Sequence, residues 1–350
     1  MQNRETTTED TSTLPLVVAV DLGGTQIRTA VLRGSTLLSR VGLLTGEVPT
    51  PERVIPRIYA AIQQALDEAQ TTLDFIAGIG IGAPGPLDSR TGIVYDPPNL
   101  PGWERVPLRD MFQEHFQVPV VVENDANAAA LGEYMFGAGR GSKNLVYMTI
   151  STGIGGGVIL NGSIIEGASG TAAELGHMTI DRYGERCNCG NIGCLERIAS
   201  GTAIARRANE LIATEEGVEL LAFARTLQEN TTAGATQDLT SLEPPPLYIT
   251  ARMVGLAAEA GIPIAHTIIG NAAEALGIGL VNIIHIFNPD TIVLGGGVTQ
   301  LGPTLMEPAL RVVQERAMKV PREAVRIVLA QLGINAGLVG AGALIYHYKQ

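Results

Sequence analysis

Two stretches of this chain follow one plan: an apolar run, a short glycine and threonine turn, then a second apolar run. The first is Leu16–Asp21 (LVVAVD), Gly23-Gly24-Thr25 and Ile27–Leu32. The second is Leu145–Ile150, Ser151-Thr152-Gly153-Ile154-Gly155-Gly156-Gly157 and Val158–Leu160. Short β-branched runs bounded by glycine suit buried strands, so each stretch reads as strand, turn, strand. The echo points to a duplicated α/β body in which each half presents one glycine turn. Between and after these units, strand and helix patterns alternate. Strands are predicted at Phe75–Ile81, Val118–Val122 and Thr291–Leu294. Helices are predicted at Val54–Ala69, Ala126–Phe136, Gly201–Ala213, Ile268–Ile286 and Asn335–Tyr346. Such alternation predicts parallel or mixed sheets. The stretch Glu215–Tyr248 is less regular, turns polar and proline-rich over 228–246, and reads as a surface excursion.

With 350 residues, the chain exceeds what one core holds, about 250 residues, and two domains are expected. An apolar fraction of 45% excludes global disorder. A net charge of −11 argues against nucleic acid as the main partner, a small local basic patch aside. No run of 18 apolar residues occurs, so no membrane span is expected. Met1–Leu14 is polar and threonine-rich with no apolar signal core, and reads as a frayed tail on a cytoplasmic protein.

Glycine turns expose backbone N–H groups that cradle phosphate oxygens, and they let a ligand approach where a Cβ would intrude. Thr25 adds a hydroxyl, and Asp21, at the strand end, is placed to hold Mg²⁺ through water. A plain hairpin turn is the alternative. Two such turns in two halves suit a nucleotide, with Gly295-Gly296-Gly297 as a third close-approach point or simply a helix cap. Glu123-Asn124-Asp125 places three polar residues between an apolar strand and a helix, and burying them needs partners. Asp125 could accept a proton from a hydroxyl; the alternative is that one of the three caps the helix. The spacing His177-x9-Cys187-x-Cys189-x4-Cys194 brings three thiolates and an imidazole to one loop, the donor set of tetrahedral zinc. All four positions are filled by protein, which makes the zinc structural. Glu174, His177 and Glu196 would gather near that loop and could hydrogen-bond ligand hydroxyls, or be surface groups.

DLGGT at 21–25, ENDANAAALGE at 123–133, STGIGGG at 151–157, ELGH at 174–177 and CNCGNIGCLE at 187–196 together resemble the ROK family of bacterial sugar kinases, from about residue 16 to 346. The resemblance implies an actin-like (ribonuclease H-like) duplicated α/β fold, two α/β domains with a cleft between them. By it, a smaller N-terminal domain takes 15–125 plus 335–350, and a larger one with the zinc loop takes 126–334. It implies ATP-dependent phosphorylation of a hexose 6-hydroxyl, glucose first, with other hexoses and N-acetylhexosamines as alternatives and polyphosphate or ADP as outside donors. It implies ATP, Mg²⁺ and a structural Zn²⁺, a homodimer or homotetramer, and no nucleic-acid or membrane partner. Asp125 matches the family's base. Gly85, Asn99, Asn124, Asp125, Glu174, His177 and Glu196 match its sugar-binding positions. Asp21, Gly23, Gly24, Thr25, Thr152, Gly153, Gly295, Gly296 and Gly297 match its nucleotide positions; His177, Cys187, Cys189 and Cys194 match its metal ligands. His177 would give one ring nitrogen to zinc and turn the other toward the sugar. Two departures stand out: Gln26, where the family often has lysine, and the segment 228–246, to which the resemblance assigns no role. Family repressors carry a helix-turn-helix domain ahead of the first turn; only 20 residues precede Asp21 here and no recognition helix fits them, so an enzyme is expected.

Overall fold

The structure is a computed structural model describing residues 13–232 and 247–348. Most of the expected tail and residues 233–246 of the proline-rich stretch lie outside it. In chain order the first elements are β1 (Leu16–Leu22), β2 (Gln26–Arg33), β3 (Thr36–Leu37), β4 (Val41–Leu44), α1 (Pro51–Glu68), β5 (Ile76–Ala83), β6 (Leu87–Asp88), β7 (Ile93–Val94), β8 (Val106–Pro107), α2 (Leu108–Phe116), β9 (Val120–Asn124) and α3 (Asp125–Phe136). There follow β10 (Leu145–Ile150), β11 (Ile154–Leu160), β12 (Ser163–Ile164), α4 (Leu195–Ala199), α5 (Gly201–Leu211), α6 (Val218–Thr232), α7 (Ala251–Glu259), α8 (Pro263–Phe287), β13 (Thr291–Gly295), α9 (Pro303–Arg316), α10 (Lys319–Ala324), β14 (Arg326–Leu329) and α11 (Ala336–Tyr348). These make two compact units. One holds residues up to 147, 157–173 and 330–350; the other holds 148–156 and 174–329.

In the first unit the sheet runs β3-β2-β1-β5-β9, with β4 pairing β2. β1 lies antiparallel to β2 and parallel to β5, and β5 parallel to β9. β1 is apolar at almost every position because both its faces are covered. Val18, Val20 and Leu22 pack with Val54, Ile58 and Ile62 of α1. Val17 and Ala19 pack with Leu338, Val339 and Ala341 of α11. α11 also lies against α3. Asp125–Phe136 therefore belongs with the first unit, whereas the sequence reading opened the larger domain at 126. Glu133, wholly buried, accepts from the backbone N–H groups of Ala138, Gln331 and Leu332 at 2.8, 3.2 and 2.8 Å. It pins the end of α3 to the segment leading into α11.

The second sheet runs β12-β11-β10-β13-β14. Here one expectation needs correction: the turn after β10 is only Ser151–Gly153, and Gly155, Gly156 and Gly157 lie inside β11. A Cβ on Gly157 would stand 2.6 Å from the Ala130 Cβ and 2.9 Å from the Ala126 carbonyl, so the strand lacks side chains there because α3 passes close. Residues 218–232, expected to be irregular, form α6. α8 is long and apolar enough to cross a membrane by length and composition, but 67% of its apolar window is buried inside the protein, against α4, α7 and α9.

Candidate active site and metal centre

In the first unit the expected residues gather at the carboxyl ends of β1, β5 and β9, where open parallel sheets bind ligands. The register aligns Asp21 with Gly82, Gly82 with Glu123 and Ala83 with Asn124. The Gly23–Thr25 turn is closed by Gly23 N–H donating to the Gln26 carbonyl at 3.0 Å. Thr45 braces it from β4's end, its N–H on the Thr25 carbonyl at 2.8 Å and its hydroxyl on the Gly23 carbonyl at 2.7 Å. Asn99 packs directly on the turn: a Cβ on Gly24 would meet the Asn99 Cβ at 2.5 Å and its carbonyl at 2.9 Å. Asp21 is buried and pairs with Arg28 of β2 at 2.5 Å. Burial pushes its carboxyl up, and the guanidinium pulls it back. The carboxylate expected to serve Mg²⁺ is thus Arg28's partner here, a pairing the sequence reading missed.

The three polar residues after β9 divide their work. Glu123 is 1% exposed; its Oε1 accepts from Asn124 N–H at 2.8 Å and from Asn127 Nδ2 at 3.1 Å. Burial pushes its carboxyl up to about 7, against the pull of those two bonds and with help from nearby Glu166. Asn124 is the N-cap of α3, its Oδ1 accepting from Ala126 and Asn127 N–H. The capping alternative therefore holds for Asn124. Its Nδ2 faces Gly85, where a Cβ would come within 3.3 Å. Asp125 opens α3, is exposed, and accepts from Ala126 N–H through Oδ1 at 2.8 Å. Gly85, Asn99, Asn124 and Asp125 thus lie with the first turn in one unit.

In the second unit a cavity of about 710 Å³ is lined by Ser151, Thr152, Gly201, Thr202, Tyr248, Arg252 and Gly297. That volume suits a drug-sized ligand. Of the three glycines at the end of β13, Gly297 opens onto the cavity. Gly296, at φ +90°, lets the chain pass Ile150, whose carbonyl a Cβ would meet at 2.3 Å. Gly295 ends the strand. Tyr248, Thr250 and Arg252 were missed because the helix they introduce, α7, was not predicted; its signal is Thr250, whose hydroxyl caps Met253 N–H. Gly153 lies beside Glu196, whose Oε2 accepts from Ile154 N–H at 2.8 Å.

The metal cluster forms as spaced. One ligand atom from each of His177, Cys187, Cys189 and Cys194 lies within 4.8 Å of every other. Cys189 and Cys194 sulfurs are 3.7 Å apart, and Cys187 Sγ is 3.8 Å from His177 Nδ1. Tetrahedral zinc with bonds of about 2.3 Å sets its sulfurs about 3.8 Å apart, so the cluster fits that ion. All three cysteines are free thiols. The loop is stiffened by Glu185, whose carboxylate reaches Arg197 at 3.0 Å and Arg206 at 2.9 Å. Glu174 precedes the single turn that carries His177, and its Oε2 stands 4.0 Å from His177 Nε2. One imidazole nitrogen therefore faces the thiols, and the other lies on the side of the Glu174 carboxylate, beyond direct hydrogen-bond distance.

Comparison with known proteins gives a consistent picture. The ROK family model matches residues 17–347. A glucokinase of Halalkalibacterium halodurans is 36% identical over 330 residues, 94% of each chain. The crystal structure of a ROK family glucokinase from Streptomyces griseus, in complex with glucose and AMPPNP, is 34% identical with a TM-score of 0.75, over 94% of this chain and 98% of that one. The xylose repressor of Bacillus subtilis is 31% identical over 94% of this chain and 76% of its own. The fold is the actin-like α/β fold of these neighbours. With its two glycine turns, its Glu-Asn-Asp strand end and its His-Cys-Cys-Cys loop, the chain belongs to the ROK family.

Proposed function

We propose that this protein is an ATP-dependent hexose kinase that phosphorylates the 6-hydroxyl of glucose, with Asp125 as general base. The observation that carries the reading is the exposed Asp125 carboxylate at the start of α3, in the unit that also presents the Gly23–Thr25 turn. Asp125 would take the hydroxyl proton as the oxygen attacks; transfer needs little else from the protein beyond positioning and charge neutralisation. Mg²⁺ and the nucleotide, when bound, supply the phosphoryl group and offset its charge. Thr152 and Gly297 line the cavity assigned to the nucleotide; Gly153, next to Thr152 in the same turn, and Gly23, Gly24 and Thr25 of the first turn are assigned to it by resemblance. Asp21 keeps its nucleotide-site assignment by resemblance, while the Mg²⁺ role read from its place at the strand end competes with its pairing to Arg28. Gly85, Asn99 and Asn124 of the first unit, and Glu174, His177 and Glu196 of the second, are assigned to the sugar. The zinc is structural: four protein donors leave it no open position.

A regulator is the second reading, raised by the repressor relative. The exposed Asp125 and both intact turns favour the enzyme. Asp125→Asn tests the reading: the variant binds sugar and loses about 10²–10⁴-fold in turnover, measured by coupled ADP release. Turnover within tenfold of the parent protein would rule Asp125 out as the base.

A further inference from the structure

We propose that Glu196 is a positioning residue for the second glycine turn, and that through it nucleotide and sugar binding are linked. The assignment of the two ligands rests on the kinase reading; the fastening itself does not. The turn Ser151–Gly153 is held by a short run of chain directly after the last cysteine of the metal loop. Gly201 N–H donates to the Ser151 carbonyl at 2.7 Å, and Thr202 N–H to the Thr152 carbonyl at 3.3 Å. Both donors open α5, which Ser200 caps through Ala203 N–H at 3.1 Å. The third fastening is Glu196 Oε2, which accepts from Ile154 N–H at 2.8 Å, the first amide after the turn. It is the only one of the three made by a side chain. Gly153 belongs to the same contact: a Cβ there would stand 2.5 Å from that oxygen. Absence of a side chain at 153 is what lets the carboxylate reach the backbone.

Glu196 is half-buried, and its Oε1 has no protein hydrogen-bond partner among the described residues. One oxygen is therefore committed to the turn while the other can take a ligand hydroxyl. A hydroxyl donated to Oε1 selects the side-chain geometry in which Oε2 holds Ile154. Ser151 and Thr152, the residues so held, line the cavity assigned to the nucleotide. Whatever orders Glu196 then tightens binding in the cavity, and the effect is reciprocal, typically 5-fold or more.

The test uses the full chain and five proteins: parent, Glu196→Ala, Glu196→Gln, Gly153→Ala and the double variant Gly153→Ala/Glu196→Ala. Amide hydrogen exchange at Ile154 reads the fastening directly. It is expected to quicken at least tenfold in Glu196→Ala and in Gly153→Ala, and to return close to the parent rate in Glu196→Gln, whose amide oxygen accepts the same bond. Equal rates in parent and Glu196→Ala overturn the proposal whatever the protein binds. Calorimetric titration with Mg·ADP, without sugar, reads the consequence. Affinity is expected to fall about tenfold in Glu196→Ala and to stay within threefold in Glu196→Gln. In the double variant, Gly153→Ala should add nothing to Glu196→Ala, because both remove one contact; additive losses overturn the proposal. Glucose should tighten Mg·ADP binding in the parent and not in Glu196→Ala. A parent protein that binds no Mg·ADP refutes the kinase reading, and the exchange rates still decide the positioning role.

Discussion

The turn after β1 and the turn after β10 share glycine, threonine and a buried strand, yet they are fastened by different means. The first is wedged: Thr45 braces its carbonyls and Asn99 packs on Gly24 so closely that no side chain fits. Its acid, Asp21, is spent on Arg28 inside its own hairpin. The second is tethered: its fastenings come from residues 196–202, immediately after the metal loop, and one of them is a flexible carboxylate. A wedge depends on the unit's own packing. A tether depends on whatever holds the segment that throws it, here the His177 and cysteine cluster. Similar local sequence thus produces one turn held by packing on its own unit's residues and one held from the segment after the metal loop.

The largest effect expected on this contrast comes from the metal. Cys189→Ser should lower bound zinc and thermal stability together, costing on the order of 3 kcal/mol or more, since closing a zinc site contributes folding free energy directly. Amide exchange should then rise across 151–154 and stay at parent rates across 23–25. Full metal occupancy in the variant, or equal loosening of both turns, would contradict the contrast.

A second test concerns the buried acids of the wedged unit. Arg28 offsets the burial of Asp21, whereas among the described residues no cation acts on Glu123. Glu123 therefore holds its proton in the folded state up to about pH 7, against an ordinary value of 4.5. A folded pKa above the unfolded one gives stability that is full below the unfolded value and is lost as pH rises through the folded value. Between pH 4.5 and 8 the parent protein should lose on the order of 1–3 kcal/mol relative to Glu123→Gln, followed by denaturant titration. Parallel curves for the two proteins would contradict the assignment.

The smallest effects separate wedge from tether directly. Gly24→Ala must displace Asn99 backbone and should cost about 1–2 kcal/mol of stability. Gly153→Ala meets only the end of the Glu196 side chain and should cost less than Gly24→Ala, about 0.5–1 kcal/mol for the one hydrogen bond to Ile154. Chemical denaturation of both variants decides this, and equal costs would erase the distinction.

What could be read in the sequence follows from how local each feature is. β1, β5, β9, β10 and β13 announce themselves because strands covered on both faces must be apolar throughout. The metal cluster is equally plain, since the loop brings its cysteines together whatever surrounds it. Gly155–Gly157 misled because glycine marks both turns and places where another backbone passes close; only the packing of α3 distinguishes them. Strands β6, β7 and β8 are two residues each and carry no period to detect. The Asp21–Arg28 pair, the choice of Asn124 as the capping residue among three candidates, and the reach of Glu196 to Ile154 were out of view for one reason. Each is a choice among partners that only the folded backbone offers.

The central claim is catalytic, and one assay addresses it most directly: coupled ADP release with ATP and Mg²⁺ across a panel of hexoses and N-acetylhexosamines. The account predicts turnover with hexoses, fastest with glucose and yielding the 6-phosphate. Silence across the whole panel from folded, zinc-loaded protein would contradict it.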